Sequence, residues 1–341
     1  MSIDAQRLER WTAQVFTKEG LSEEHARTVA SVLVWANLRG MDTHGVMRVP
    51  RYVDLIRAGD LSTRPAMTTR NETPAAVVLE ADRAAGPVAM MRGTQLAMAK
   101  AKAAGVGVCL VRATTHTAAL GYYTHHAADA GMAAIAFSAS SPIMAYHGAR
   151  AAGVSTAPLA MAVPGEGGAI ALDMASGMVS MGTLMQGRRT GKPLPPDSAL
   201  DAQGNVTTDP RAAVLPLPLG GAKGSGLALL IECFASLLAG NPLLAEALEG
   251  TPLGGRHRQN GAVIAFDIAR FMEPASFRRE AARLAAAIKA LPPQPGMQVR
   301  LPGERGARAA EERRRDGIPL PAKVHEELRA LARSLDLEEP A

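Results

Sequence analysis

The chain has 341 residues, of which 47% are hydrophobic and 20% are charged, so it can bury a substantial core and is not expected to be broadly disordered. The formal net charge is +5, but aromatic residues make up only 4% and the sequence carries no nucleic-acid-binding motif, so we expect no nucleic-acid partner. The sequence has no apolar run as long as a membrane span, only two cysteines and no secretory pattern in its first ten residues, so we expect a cytoplasmic protein with no membrane association.

The first part of the chain is predicted to be helical. Apolar residues recur at helical spacing, and Leu8, Trp11 and Val15 fall on one face of a first helix. A second helix follows a capping serine, and a third is predicted to end at Ala58, where a glycine follows. Residues 1–70 are therefore expected to form an N-terminal helical segment.

From residue 75 onward, short apolar runs alternate with helical patterns. Strands are predicted at residues 75–79, 106–111, 132–139, 159–163, 169–174 and 262–267. Helices are predicted at residues 86–104, 118–130, 176–189, 227–238 and 274–291. Because strict βαβ alternation is absent, we predict an α/β protein with a mixed β-sheet and flanking helices. Residues 71–300 are expected to form this domain, with a Gly- and Pro-rich arm at 191–218, and residues 301–341 a C-terminal helical segment that packs back onto it.

A loop that leads into the third helix carries the residue types that carbonyl reduction requires. His44 titrates near neutral pH and can exchange a proton, Arg48 presents a planar fork that fits a carboxylate, and Thr43 can donate a hydroxyl hydrogen bond to a substrate. His44, Arg48 and Tyr52 are spaced by four and would share one side of a helix. A capped helix start with a surface His and Arg is the alternative interpretation of the same residues.

A glycine-rich segment at residues 220–226 precedes an apolar helix. Glycines let backbone amides approach an anion, the helix N-terminus adds a favourable dipole, and Lys223 can contact a phosphate or a ribose. The segment matches neither a P-loop nor the GxGxxG fingerprint, and a flexible turn before a buried helix remains the alternative.

His116 follows the predicted strand at 106–111, where a strand end often carries a site residue, and it can line a nicotinamide or substrate pocket or be purely structural. His125 and His126 lie nearby, but the spacing does not fit a zinc pattern and no carboxylate pair accompanies it, so we expect no metal.

Two further segments carry acidic or basic candidates. Asp173 stands on an apolar strand and is a candidate for orienting His44 or binding a cofactor, or it is a turn residue. Glu304 and Arg305 follow a Pro-Gly turn and can reach the adenosine of a cofactor, or belong to an ordinary turn.

Taken in order, these segments resemble the type-2 malate/L-lactate dehydrogenase family, which includes ureidoglycolate and sulfolactate dehydrogenases and Δ1-piperideine-2-carboxylate reductases. The resemblance covers nearly the whole chain and depends on the joint order of several short motifs. They are Arg39-Gly40, Thr43-His44-Gly45-Val46, Arg48, Leu172-Asp173-Met174-Ala175, Leu200-Asp201-Ala202, Thr208-Asp209-Pro210, Gly221-Ala222-Lys223-Gly224-Ser225-Gly226 and Leu301-Pro302-Gly303.

The resemblance implies a non-Rossmann fold, NAD(H) or NADP(H) bound on an unusual mixed sheet, and a homodimer. It implies that His44 is the proton donor, that Thr43 and Arg48 lie beside the substrate, and that Tyr52 and His116 lie near the pocket. Dinucleotide contacts are expected from His116, Thr156, Asp173, Met174, Ala175, Ala222, Lys223, Gly303, Glu304 and Arg305.

The chain departs from the family pattern near this expected cofactor site. Ser155-Thr156-Ala157-Pro158 stands where the family commonly has Gly-Thr-Asn-Pro, and Thr115-His116 stands where it commonly has Asn-His. Two amide side chains are therefore missing, which leaves the detailed cofactor contacts and the preferred substrate open.

The predicted function is reversible hydride transfer between a nicotinamide and C2 of a small 2-hydroxy or 2-oxo acid of the malate or lactate type. Reduction of a cyclic imine carboxylate, Δ1-piperideine-2-carboxylate or Δ1-pyrroline-2-carboxylate, is the alternative enzyme. An NAD(P)-binding sensor or interaction protein without turnover is the non-enzyme alternative, and the set Thr43, His44 and Arg48 argues against it. The sequence does not separate NAD from NADP.

Overall fold

The computed structural model describes residues 2–250 and 259–340. The helices are α1 (Ala5–Lys18), α2 (Glu23–Leu38), α3 (Val49–Arg57), α4 (Gly86–Ala104), α5 (Gly121–Asp129), α6 (Met181–Thr190), α7 (Ala222–Glu232), α8 (Leu244–Leu248), α9 (Pro274–Lys289), α10 (Glu304–Asp316) and α11 (Ala322–Ser334). The strands are β1 (Ser2–Ile3), β2 (Thr68–Arg70), β3 (Ala76–Glu80), β4 (Val106–Thr114), β5 (Met132–Ser140), β6 (Met144–Ala145), β7 (Ala152–Val154), β8 (Leu159–Val163), β9 (Ile170–Met174), β10 (Ala199–Leu200), β11 (Leu215–Pro216), β12 (Gln259–Asp267) and β13 (Ile318–Pro319).

The central sheet has seven strands in the order β2-β3-β4-β12-β5-β8-β9. Strands β3 and β4 pair in parallel, and the other neighbours in this sheet pair antiparallel. The long strand β12 lies in the middle, where Val263 stands opposite Cys109 of β4 on one side and Ala136 of β5 on the other. The predicted mixed sheet is confirmed, and it lacks the mainly parallel pairing of a Rossmann sheet.

Helix α4 lies close against this sheet because small residues meet at the contact. A Cβ at Gly107 would lie 1.9 Å from the carbonyl oxygen of Ala97, and a Cβ at Gly261 would lie 2.4 Å from the Met90 sulfur. Larger residues at these positions would push the helix off the sheet. The many alanines and glycines of the chain therefore reflect close helix–sheet packing.

One hydrophobic core joins the N-terminal helices, the sheet and the C-terminal helix. Leu8 in α1, Leu33 in α2, Val111 in β4 and Leu328 in α11 all belong to it and are fully buried. Short strands β1 and β13 pair the two ends of the chain. The segments before and after the sheet domain are thus packed on the same core as the sheet.

The glycine-rich segment departs from its prediction as a turn. Helix α7 begins at Ala222, five residues earlier than expected, and continues into a π-helical turn at Cys233–Leu237. Gly224 lies within the helix. A Cβ there would stand 2.5 Å from the carbonyl oxygen of Leu219, so this position requires glycine. Close packing, and not backbone flexibility, accounts for this glycine.

Helix α6 begins at Met181 and not at 176, because the Ser180 hydroxyl accepts the Thr183 N–H at 3.1 Å and caps the helix. The following Gly- and Pro-rich arm at 191–218 folds over α6. It buries Leu194 and Ala213 in a small separate cluster and contains the strand pair β10–β11.

Candidate active site

The segment between α2 and α3 consists of two short 3-10 turns, Asp42–His44 and Val46–Arg48. Asn37, at the end of α2, accepts the Val46 N–H on its side-chain oxygen at 2.7 Å. A Cβ at Gly45 would lie 2.1 Å from that same oxygen, so only glycine permits the approach. The turn that carries His44 is therefore fixed to the end of a buried helix.

His44 lies among polar and aromatic neighbours. Its Nδ1 is 3.0 Å from the Thr43 hydroxyl, and its ring stacks on His116 with centroids 5.7 Å apart and planes at 22°. Burial, and then the positive charge of Arg48, lower the pKa of His44 to about 4. Without a bound anion, the imidazole is therefore neutral at physiological pH and suited to accept a proton.

Arg48 is turned toward the same loop. Its Nε donates to the carbonyl oxygen of Thr43 at 2.6 Å. Within the described part of the chain, the two terminal nitrogens of Arg48 donate no hydrogen bond to the protein. Burial lowers the pKa of Arg48, but an arginine stays cationic at any physiological pH. This leaves a fixed guanidinium that can bind a carboxylate.

The expected helical stripe of His44, Arg48 and Tyr52 is only partly present. His44 lies in a separate 3-10 turn before Gly45, and Arg48 caps the start of α3. The two residues nevertheless lie close enough for the charge of Arg48 to act on His44. The structure thus brings the predicted pair together by a loop and not by a continuous helix.

Tyr52 acts on the site through His116. It is 1% exposed, and its hydroxyl donates to the His116 carbonyl oxygen at 2.8 Å and lies 2.8 Å from Nδ1 of the same residue. Since the hydroxyl has one proton and a carbonyl only accepts, Nδ1 of His116 carries a hydrogen and donates to Tyr52. Burial raises the pKa of Tyr52, which keeps the phenol protonated. Tyr52, predicted as a substrate contact, therefore fixes the ring that stacks on His44.

The predicted dinucleotide segments converge on strand β9. At one end, Ala171 donates its N–H to Pro302 at 3.3 Å, and a Cβ at Gly303 would lie 2.9 Å from the Ala171 carbonyl oxygen. At the other end, Ser176 donates its N–H and its hydroxyl to the Thr156 carbonyl oxygen at 2.9 and 2.8 Å. Met174 and Ala175, both half-buried, lie between these two contacts.

Helix α7 begins beside the same end of β9. A Cβ at Gly224 would lie 2.8 Å from the carbonyl oxygen of Ser176. Ala222 and Lys223 are exposed in the first turn of α7, where the helix dipole favours an anion. The residues present therefore fit a dinucleotide, with an exposed cation on a helix start and small residues at the points of close approach.

Asp173 does not orient His44, whose Nδ1 faces Thr43. It accepts the Gly121 N–H at 2.7 Å, at the start of α5. Burial raises the pKa of Asp173 to about 6, against the opposing effects of the Gly121 hydrogen bond and of Arg39. Because the folded pKa is above the ordinary value of 3.8, its contribution to stability is full below that pH and is lost as the pH rises through about 6. A carboxylate kept here at neutral pH lowers stability, which is typical of a functional position.

Glu304 is engaged within the protein. Its carboxylate accepts Lys289 Nζ at 2.5 Å and the Leu301 N–H at 3.2 Å, and the Lys289 hydrogen bond lowers its pKa. It fixes the start of α10 and leaves the neighbouring Arg305 exposed. Of the two residues predicted to reach a cofactor adenosine, only Arg305 is therefore exposed.

Sequence reasoning missed two residues that enclose the site. Asn37 holds the His44 loop, and a Cβ at Gly182, at the start of α6, would lie 2.6 Å from the Thr43 side chain. A lone asparagine at a helix end and a lone glycine in a helix have no sequence pattern that marks them. Only the folded arrangement places them against Thr43 and His44.

The histidines of α5 have a structural setting. His125 Nδ1 lies 2.7 Å from the Gly121 carbonyl oxygen, and its ring meets the edge of Trp35 at 5.1 Å. Over residues 2–250 and 259–340, no three His, Cys, Asp or Glu side chains are grouped so as to hold a metal ion. Within the same ranges, no helix combines the length and apolar character that crossing a membrane requires.

Comparison with known proteins defines the class of this protein as an oxidoreductase, a dehydrogenase or reductase that uses a nicotinamide cofactor. Within that class, the chain belongs to the malate/L-lactate dehydrogenase family, which matches residues 3–329. It is 33% identical over 347 residues to a malate dehydrogenase of Pyrococcus horikoshii, covering 98% of this chain and 96% of that protein.

Two further matches show how broad the family is. The chain is 34% identical over 323 residues to a Delta(1)-pyrroline-2-carboxylate reductase of Ancylobacter novellus, covering 92% of each. The solved structure of sulfolactate dehydrogenase from Methanocaldococcus jannaschii superposes with a TM-score of 0.91 at 31% identity, over 99% of this chain and 98% of that one. The predicted family and fold are thus confirmed over nearly the full length.

Proposed function

We propose that this enzyme interconverts a small 2-hydroxy acid and the matching 2-oxo acid, with His44, Thr43 and Arg48 at the reacting centre. The observation that carries the proposal is the pairing of a half-buried imidazole, neutral at physiological pH, with a guanidinium held in the same loop. The relatives named malate dehydrogenase and sulfolactate dehydrogenase support an acid with a second anionic group as substrate.

The residues divide the chemistry between them. A bound nicotinamide supplies the hydride for the substrate C2, or accepts it in the reverse direction. Arg48 binds the substrate carboxylate and fixes C2 in place, while its Nε remains on Thr43. Since Thr43 meets Nδ1 of His44, we assign Nε2 as the atom that gives or takes the proton of the substrate oxygen.

The residues that hold the dinucleotide follow from the convergence at β9. We propose that Thr156, Met174 and Ala175 form the surface on which the dinucleotide lies. Ala222 and Lys223 would contact a phosphate or a ribose, and Gly303 and Arg305 would contact the opposite end of the dinucleotide. We propose that His116, whose ring stacks on His44, lies at the end of this surface nearest the reacting centre. Both NAD and NADP are compatible with these residues.

A panel assay tests the proposed activity. Purified enzyme is given NADH or NADPH and, in separate reactions, pyruvate, oxaloacetate, sulfopyruvate or other 2-oxo acids, and absorbance of the reduced nicotinamide is followed. We expect turnover with at least one 2-oxo acid. Binding of either dinucleotide with no turnover across the whole panel would favour the sensor interpretation instead.

A cyclic imine carboxylate is the second candidate substrate. The pyrroline-2-carboxylate reductase among the relatives favours it. Adding Δ1-piperideine-2-carboxylate and Δ1-pyrroline-2-carboxylate to the same panel separates the two substrates by the ratio of their kcat/KM values.

We also propose that the enzyme is a homodimer. Helix α7 and its π-helical turn expose a run of large apolar side chains, with Leu230 at 56%, Phe234 at 53% and Leu238 at 63%. An apolar surface of this kind on a soluble enzyme marks a protein contact, and a second copy is the commonest occupant. Light scattering should give twice the mass of one chain, and the mass of one chain would refute the dimer.

A further inference from the structure

The loop that carries His44 is held from outside by helix α10. The guanidinium of Arg313 donates Nη1 to Asp42 Oδ1 at 2.6 Å and Nη2 to Asp42 Oδ2 at 3.1 Å. Nη1 also donates to the backbone carbonyl oxygen of Asn37. The Arg313 side chain is 19% exposed and the Asp42 side chain is 38% exposed, so the arginine half of the pair is shielded from water. One side chain thus joins the end of α2 to the first residue of the catalytic turn.

The contacts continue past Asp42. Asn37 donates its side-chain nitrogen to Asp42 Oδ1 at 2.7 Å and accepts the Val46 N–H on its side-chain oxygen at 2.7 Å. Asp42 lies two residues before His44 and Val46 lies two residues after it. The series Arg313, Asp42, Asn37 and Val46 therefore fixes the backbone on both sides of the imidazole.

This ion pair differs from the local pair on the outer face of α10. Arg308 pairs with Glu312 one turn away on the same helix, with 78% and 49% of the side chains exposed. Such exposed local pairs contribute little. The pair of Arg313 with Asp42 is bidentate, joins residues 271 apart in sequence and ends beside the reacting centre.

Resting on the proposed function, we infer that Arg313 is a positioning residue for the reaction, acting on His44 through Asp42 and Asn37. It touches neither substrate nor cofactor. Its role is to keep the turn of Thr43 and His44 at the distance from the substrate that proton transfer requires. Helix α10, which packs against α2, thereby supports catalysis.

The first test is Arg313→Gln, which removes both hydrogen bonds to Asp42. If the loop is displaced by a fraction of an ångström, kcat should fall by about tenfold, because a reacting group misplaced by about 1 Å can lower the rate by about 10²-fold. Dinucleotide affinity, measured by fluorescence titration, should stay close to wild type, because Arg39 still donates to Gly303 at 3.1 Å. Arg313→Lys keeps the charge without the fork and should restore part of kcat.

Two matched variants control the experiment. Arg308→Gln removes an arginine from the same helix and should leave kcat unchanged. Asp42→Asn weakens the same link from its other end, and the double variant with Arg313→Gln should lose no more than about the larger single loss, because the two residues act as one unit. Multiplied losses in the double variant would refute action through Asp42.

A readout independent of turnover is the titration of His44 followed by NMR of the imidazole carbon. The groups that face this ring are Thr43, Arg48 and His116, with Tyr52 behind the last. We expect the pKa to rise from about 4 toward the ordinary 6.5 in Arg313→Gln, as the loosened loop admits water. The rise is expected in Asp42→Asn as well, which covers the case in which Arg313→Gln does not fold.

The outcomes separate the two claims. A wild-type enzyme that turns over no substrate of the panel refutes the proposed function, while the His44 titration still tests Arg313. A folded Arg313→Gln with wild-type kcat and wild-type titration of His44 refutes the positioning role and leaves the proposed function intact.

Discussion

Replacing His44 by alanine should lower kcat for 2-oxo acid reduction by about 10²–10⁴-fold, the usual contribution of a general acid. KM should change little, because Arg48 still binds the carboxylate and is tied to Thr43 through a backbone oxygen. His126→Ala is the matched control, since it removes a half-buried histidine of α5 and should keep wild-type kcat. Steady-state kinetics with saturating dinucleotide measure both values. Wild-type kcat in His44→Ala would refute its assignment as the proton donor.

The pH dependence of the wild-type enzyme follows from the same imidazole. Burial and Arg48 lower the pKa of His44 to about 4, so kcat/KM for oxidation of the hydroxy acid, which needs the neutral base, should hold from pH 8 down to about 4 and fall below it. A substrate carboxylate on Arg48 offsets the charge that lowers this pKa, so the pKa in the complex is higher. For reduction, which needs the protonated form, kcat should therefore fall as the pH rises through that higher value.

The chemistry of the site could be predicted from sequence because its main residues are local. Thr43, His44 and Arg48 lie within six positions, so their residue types and spacing were visible without the fold. The residues that hold this loop in place were not visible in the same way. Arg313 is one of three consecutive arginines and stands 271 residues from Asp42, so its role depends on a packing of α10 against α2 that has no local pattern.

The fold was predictable where patterns were long. Every strand of the central sheet except the three-residue β2, and helices such as α4, span five or more residues, enough for apolar periodicity to be recognised. The pairs β6–β7 and β10–β11 consist of two or three residues a strand and were missed for that reason. The start of α7 was misplaced because Gly224 looks like a turn residue in sequence, whereas a contact with Leu219 requires it in the structure.

Tyr52 shows a different limit of sequence reasoning. Its spacing from Arg48 predicted a shared helical face, and the family resemblance implied a position near the substrate pocket. The structure buries the ring and places its hydroxyl on His116, a residue 64 positions away. Spacing thus indicated that Tyr52 belongs to the site but not that it acts through a second aromatic ring.

Arg48→Lys should separate substrate binding from proton transfer. Lysine cannot donate to the Thr43 carbonyl oxygen and also bind a carboxylate through two parallel hydrogen bonds. The value of kcat/KM for a 2-oxo acid should therefore fall by about 10²-fold, mostly through a higher KM. The positive charge that helps to lower the pKa of His44 is retained, so the acid limb of the oxidation profile should stay near pH 4.

The matched control for Arg48→Lys is Arg51→Lys, an exposed arginine three residues away that should keep wild-type kinetics. Full pH profiles of kcat/KM for both variants make the measurement. If Arg48→Lys left KM unchanged, the guanidinium would not be the carboxylate partner. If instead the acid limb of Arg48→Lys moved toward pH 6.5, the lysine ammonium would no longer be close enough to act on His44. The loss of kcat/KM would then have two causes, the displaced positive charge and the missing guanidinium.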